Sequence, residues 1–513
     1  MINLASALID QGDAKSAQDL VATLTALGPM RPDVLAVEAR LALLRDDTDL
    51  AITKLEAVLA LSPDARTYAL LANAFERQGE WRKAAEAYGK AGEADPSDPG
   101  LANSEGMAWT RIGEAAFAIT AYQRAQGLAP DAPQISHNLA VALMSQGRFD
   151  ESLTAFDHTL TLAPDVVESW VSRGGVLQAL NRFDDAAASY AKAIALAPDY
   201  APAHADLALC LFKVGRLEAA WGEFEWRWKI DPPRPISAPL WLGDADLAGR
   251  TILLHGEQGL GDILQFSRYI PRVAALGAKV LVGAPQALVP LFENLPGVSA
   301  VAVHLSALPE FDYHCPFMSL GLAFRTGLQT IPSASGLIRA DADRVAAWLQ
   351  RLGAKPDGTR LRIGLAWSGN PLHRNDRARS LPFAQFVQGL PRGHDYHVLQ
   401  NHIRPEDEKA LAARDDIRFH GQDLTSFVET AALTHVMDYV VSVDTSLAHL
   451  AGTLERPGAL LIPKAADWRW MIGREDSPWY PSLRLFRQVR PGDWDEVLLR
   501  LYTHLDHNPL AAP

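Results

Sequence analysis

A chain of 513 residues is too long for one hydrophobic core and predicts about three folding units. Its 48% apolar and 21% charged residues describe an ordinary water-facing protein, and a formal charge of −13 argues against a nucleic-acid or membrane-surface binder. Two cysteines, Cys210 and Cys315, without metal-type spacing, exclude a disulfide framework and a Cys-based zinc site.

The N-terminal stretch, Met1 to Asp10, has no basic segment and reaches an acid too early for a signal peptide. No uncharged apolar run is long enough to span a bilayer, so a cytoplasmic protein without membrane insertion is expected. The first 232 residues are periodic. Prolines at 96, 130, 164, 198 and 232 step by 34, and Pro63 stands 33 before the first. Turn residues Gly79, Gly113, Gly147, Asn181 and Gly215 keep the step, as do the aromatics Tyr88, Tyr122, Phe156, Tyr190 and Phe224. Small residues recur at Ala72, Gly106, Ala140, Gly174 and Ala208 and again at Ala84, Ala118, Ser152, Ala186 and Ala220.

This pattern resembles the tetratricopeptide repeat, a pair of helices with a period of 34. The copy from Val167 matches best, through Trp170, Gly174, Ala186, Tyr190, Ala193 and Pro198, and weaker copies surround Gly12 and Asp46. About seven repeats over residues 1–232 are expected. The resemblance implies an α-solenoid whose inner surface holds an extended peptide or protein. Ser104, Asn138, Ser172 and Asp206 occupy inner positions on the first helix of successive repeats. They can bond a peptide backbone or simply solvate an exposed face.

Residues 233–250 form a joint. Four prolines between Asp231 and Gly243 break helix and strand alike, and Trp226, Trp228 and Trp241 are expected to pin the array to the C-terminal half of the chain. From Thr251 strands and helices alternate, which predicts a parallel sheet covered by helices. Strands are expected at 252–254, 278–283, 298–303 and 311–316, with helices at 262–276 and 285–295. Between the first strand and its helix lies His255-Gly-Glu-Gln-Gly-Leu-Gly-Asp262. Its glycines match neither a dinucleotide nor a Walker fingerprint, and a carboxylate, Asp262, stands in the first turn of a helix. Residues 251–354 make up this first half.

The second half, residues 355–513, opens with a strand at 362–367 and a loop carrying Ser368, Asn370, His373, Arg374, Arg377 and Arg379. So many cations in an acidic chain form either a solvated loop or a clamp on phosphate. Further strands are expected at 397–400 and 417–420, then Met437 to Val443 running into Asp444-Thr445-Ser446 and a helix. A carboxylate, two hydroxyls and free N–H groups at a helix start suit a diphosphate or sugar hydroxyl. Asp444 as a plain cap and His449 as a packing histidine are equally open. A helix closes the chain.

Two motifs carry a second resemblance, over about residues 250–490. Gly261-Asp262 and Asp444-Thr445-Ser446-Leu-Ala-His449 are similar to the Gly-Asp and Asp-Thr-Gly-x-x-His motifs of heptosyltransferase-like glycosyltransferases. Those enzymes have a GT-B fold of two Rossmann-like α/β halves, and Ser446 departs from the family's glycine. The tail, Asp467 to Met471 and Glu475 to Pro481, is similar to bacterial repeat-linked members, some of which glycosylate flagellin. The resemblance implies a metal-independent protein O-glycosyltransferase, with a nucleotide sugar as co-substrate and no cofactor. Asp262 would be the catalytic base. Asp444, Thr445, Ser446, His449, Arg374, Arg379, Ser368 and Asn370 would hold the donor. Gly259, Gly261, His255 and Glu257 would line the acceptor side, the glycines clearing space for the acceptor chain. Flagellin is one candidate for the acceptor recruited by the repeats. A non-catalytic scaffold that binds a nucleotide sugar, and an enzyme acting on lipopolysaccharide, are the alternatives.

Overall fold

A computed structural model describes residues 1–28, 30–233, 235–355, 360–373, 375–507 and 510. Arg374, expected at the donor, lies outside them. The chain divides into two compact units, Met1–Asp206 and Leu207–Pro513.

The first unit is a stack of helical hairpins, beginning with Ile2–Asp10 and Ala14–Leu27 and reaching Val167–Ala179 and Phe183–Leu196. The 34-residue columns have direct physical counterparts. Gly12, Asp46, Gly79, Gly113, Gly147 and Asn181 all take positive φ, between 61° and 78°, at the turn inside each hairpin. Glycine adopts that conformation without strain, and Asn and Asp tolerate it better than other side chains. The small and aromatic columns meet: a Cβ on Gly106 would stand 2.6 Å from the Tyr122 ring, and one on Gly174 would stand 2.5 Å from Tyr190. Each aromatic thus fills the space its paired glycine leaves open. Among the inner polar positions, all half-buried, Asn138 donates to Asn103 Oδ1 at 3.0 Å.

The second unit holds two parallel sheets. The first is ordered β3-β2-β1-β4, from β1 (Thr251–His255), β2 (Lys279–Gly283), β3 (Val298–Ala302) and β4 (Tyr313–Pro316). The second contains β5 (Arg362–Ala366), β6 (Asp395–Val398), β7 (Ile417–Phe419), β8 (Tyr439–Val443), β9 (Gly458–Ile462) and β10 (Leu483–Arg487). Its order is β10-β9-β8-β5-β6-β7, all parallel. The strand order reverses between β1 and β4 in one sheet and between β5 and β8 in the other, as in doubly wound α/β folds. Crevices that take ligands open at those reversals, outside the carboxyl ends of the strands.

Several elements differ from expectation for identifiable reasons. The helix expected over 262–276 is three pieces, Leu260–Phe266, a 3₁₀ turn Ser267–Tyr269 and Ile270–Ala275, and Pro271 removes a backbone donor at the last break. The helix expected over 285–295 shrinks to Val289–Phe292, whose first turn holds Pro290, a residue that bars helix over the positions before it. Strands β9 and β10 have no counterpart among the expected strands. Asp-Ala-Asp occurs at 244–246 and at 341–343; Asp244 and Asp246 accept from Leu242 N and Ala248 N, and Asp341 caps Ala342–Leu352 through Arg344 N. These are turn and cap carboxylates.

The second unit begins inside the last helical hairpin, whose helix Leu217–Phe224 buries Trp221. The Trp221 indole donates to Thr326 O at 2.8 Å, and its ring meets Phe212 at 4.5 Å and edges onto Trp468 and Phe266. Of the tryptophans expected to pin the joint, only Trp241 is buried, donating to Ala245 O at 2.9 Å. A Cβ on Gly321 would sit 2.6 Å from the Trp221 ring. Gly321→Ala is therefore expected to cost about 1–3 kcal/mol through overpacking, read as a lower urea midpoint at unchanged slope.

Candidate functional site

The two reversal points are brought together by a pair of helices. Leu260–Phe266 follows β1, and Ser446–Thr453 follows β8. They touch at Gly261, where a Cβ would stand 2.6 Å from His449 Cδ2. Gly261 is thus a close-approach glycine whose free space is taken by His449. Gly256 packs against Ile263 in the same way, its added Cβ falling 2.5 Å from that side chain. At Gly259, the other glycine expected on the acceptor side, an added Cβ would meet only Asp262 Oδ2, at 3.4 Å.

Asp262 sits in the first helical turn. Its Oδ2 accepts from Gly259 N at 2.8 Å, and its Oδ1 pairs with Nη2 of Arg469 from the second half. Arg469 is a hub. Its Nε donates to Gln265 Oε1 at 2.7 Å, Nη1 donates to Asp467 Oδ1 at 2.8 Å, and its guanidinium lies over the Trp468 ring at 4.4 Å. Burial opposes its charge, but Asp262, Asp467 and Asp444 more than offset that, and the guanidinium is held above its ordinary range. Sequence reasoning misses this residue: the Asp467-Trp-Arg-Trp-Met run that contains it reads only as a family feature.

Asp444 lies at the carboxyl end of β8. Burial, then the neighbouring Asp467, pushes its carboxyl up to about 6, against the pull of Trp470, Arg469 and Arg379. Asp467 moves the other way: burial disfavours its charge, but Arg469 outweighs it and holds the carboxyl low. Asp467 nonetheless keeps 38% of its side chain accessible, so solvent reaches this acidic group. Arg379 donates from Nη1 to Asp444 O at 2.9 Å, tying the loop after β5 to the turn after β8 across the reversal point. Thr445 and Ser446 are half-buried at the start of their helix.

The other expected residues are dispersed. Ser368 accepts at Oγ from Gln400 Nε2 at 2.9 Å, and exposed Asn370 accepts from Leu372 N at 3.0 Å within its loop. His449 is buried, its Nδ1 2.9 Å from the Tyr480 hydroxyl and its ring beside Trp470. Burial, then Arg469, pulls His449 down to about 3, so it is neutral. His255 pairs with His314, Nε2 to Nδ1 at 3.1 Å, and burial followed by His314 lowers it to about 4. Glu257 turns to the short helix Arg227–Ile230: its carboxylate accepts from Arg227 Nη2 at 2.8 Å and from Met318 N at 3.1 Å. No hydrogen bond links His255 or Glu257 to Asp262 among the described residues. Those residues also contain no group of three or more His, Cys, Asp or Glu placed to hold a metal.

The buried and half-buried histidines set an acid response. Folded, His255 and His420 titrate near 4 and His449 near 3, whereas an unfolded histidine titrates near about 6.5. Between these values the unfolded chain holds more protons, so stability falls as pH drops from about 6.5. Asp444 acts oppositely between its unfolded value, about 3.9, and 6, because its folded form holds the proton. Urea midpoints should therefore be lower at pH 5 than at pH 7. Asp444→Asn should steepen that decline by up to about 1.4 kcal/mol per pH unit between 6 and 4.

A tetratricopeptide-repeat family model matches residues 2–66, 70–133, 137–201 and 173–235. Residues 2–235 are tetratricopeptide repeats. Among characterised proteins, Protein FlbA of Caulobacter vibrioides is 28% identical over 331 residues, 58% of this chain and 54% of that protein. The chain thus spans about half the length of the curated relative it matches. Among solved structures, the C-terminal part of a TPR repeat-containing protein from Cytophaga hutchinsonii is 17% identical at a TM-score of 0.39, covering 46% of this chain and 96% of its own. YrrB, described as a TPR protein with an unusual peptide-binding site, is 18% identical at a TM-score of 0.33, covering 36% and 95%. MamA is 23% identical at a TM-score of 0.32, covering 33% and 93%. No helix among the described residues is long and apolar enough to cross a membrane.

Proposed function

We propose that the two-sheet unit transfers a sugar from a nucleotide-activated donor to a Ser or Thr hydroxyl of a protein recruited by the repeats. The observation that carries this reading is the Asp262–Arg469 pair, which joins a carboxylate at the first sheet's crevice to the Asp444–Asp467 group at the second's. Arg379 and the N-terminus of Ser446–Thr453 supply positive charge where a donor diphosphate would lie. The acceptor oxygen bonds to the anomeric carbon while the bond from that carbon to the diphosphate breaks and the diphosphate leaves with its electron pair. Asp262 takes the hydroxyl proton. A carboxylate offers about four lone-pair sites, of which Gly259 N and Arg469 occupy two, so acceptance remains open.

A panel of CMP-, UDP-, GDP- and ADP-sugars tests donor binding by thermal stabilisation. One donor should raise the melting temperature, and Asp444→Ala or Arg379→Ala should remove most of that rise. No response to any donor would count against the reading. One observation favours a second reading, a repeat scaffold without turnover: Asp262 and His449 are both already engaged by protein partners. Binding of a nucleotide sugar without any sugar appearing on a captured partner, flagellin included, would select it.

A further inference from the structure

Away from the Asp262–Arg469 group, the second unit has a recess of about 280 Å³ lined by Arg268, Arg272, Pro296, Ser333, Ser335 and Gly336, among others. Arg268 is 2% exposed. Its Nε donates to Gln265 O at 2.7 Å, and Nη1 to Pro332 O at 3.2 Å and Trp479 O at 2.9 Å. The guanidinium lies over the rings of Trp479 and Tyr480, at 5.3 and 4.9 Å. Among the described residues no carboxylate pairs with it, and Nη2 has no hydrogen-bond partner. Carbonyls and ring faces compensate a buried cation only in part, and an uncompensated one is strongly disfavoured.

Arg272, four positions on, is exposed and forms no ion pair among the described residues. Two guanidinium groups thus border one recess without an acid of their own. The rim adds the Ser333 hydroxyl and the backbone at Gly336, which turns at φ +66°. One acid is near: Glu455 Oε2 accepts from Ser335 Oγ at 2.9 Å. Among the described lining residues the two arginines are the charged ones, and Glu455 reaches the recess through Ser335.

We propose that this recess binds a small phosphoryl-bearing molecule, its phosphate held between Arg268 and Arg272. Paired guanidinium forks match a phosphoryl dianion better than a single carboxylate, and the volume leaves room for a sugar-sized group beyond the phosphate. The site shares no residue with the Arg379 loop, and the inference does not depend on sugar transfer.

Calorimetric titration of the full chain with inorganic phosphate and a hexose 6-phosphate, in low chloride, tests it. The expected result is saturable binding that Arg272→Gln weakens about tenfold, that Glu455→Gln tightens, and that Arg379→Ala leaves unchanged. Arg272 is exposed, so its variant folds even if Arg268 variants do not. Absence of saturable binding would overturn the proposal. So would binding that Arg379→Ala abolishes and Arg272→Gln spares, because the phosphate would then occupy the loop after β5.

Discussion

Replacing Arg469 by Met is expected to destabilise the second unit by about 3–5 kcal/mol, the range for breaking a buried ion pair by removing one partner. The guanidinium is 7% exposed and Asp262 16%. Methionine fills much of the volume but leaves Asp262, Asp467 and Asp444 without their shared cation. It also strands the side-chain oxygen of buried Gln265. Urea unfolding reads the loss. A second change, Asp262→Asn, should return part of it, since the neutral amide no longer needs the cation. A loss below about 1 kcal/mol would mean that solvent screens the group as it does a surface pair.

Asp262→Asn alone is expected to lower sugar transfer by about 10²–10⁴-fold, the usual contribution of a positioned base, while the protein stays folded. Asparagine keeps the shape and one acceptor oxygen, so either Gly259 N or Arg469 retains a partner. Donor affinity should change little, because Asp262 belongs to the first sheet's crevice and the diphosphate to the second's. Loss of donor binding together with transfer would instead assign Asp262 to the donor. An unchanged rate would remove it from the chemistry.

The residues behind these two variants differ in how legible they are in the chain. The helical hairpins are legible because one repeat prints the same constraint many times: a positive-φ turn at Gly113 and Gly147, a close approach at Gly106 and Gly174. Most strands from β1 to β8 are legible as short apolar runs with glycine, aspartate or histidine near their ends. Strand β9 hides in plain view, five apolar residues between Pro457 and Pro463, and β10 carries Arg484 and Arg487 among its five residues, which reads as a surface segment. Asp262 and Asp444 are marked by their places at helix starts. Arg469 is not, since its meaning lies in a contact 207 residues away, which no local spacing encodes. His449 and Glu257 show the converse. Their types suggest chemistry, but Tyr480 and Arg227 hold them in contacts within the protein.

Mass spectrometry of a protein captured by the repeats tests the central claim most directly. Wild-type protein, incubated with that partner and the stabilising nucleotide sugar, should add the mass of the donated sugar to a Ser or Thr, and Asp262→Asn protein should add almost none. A partner that binds but gains no sugar mass with any nucleotide sugar would contradict the account.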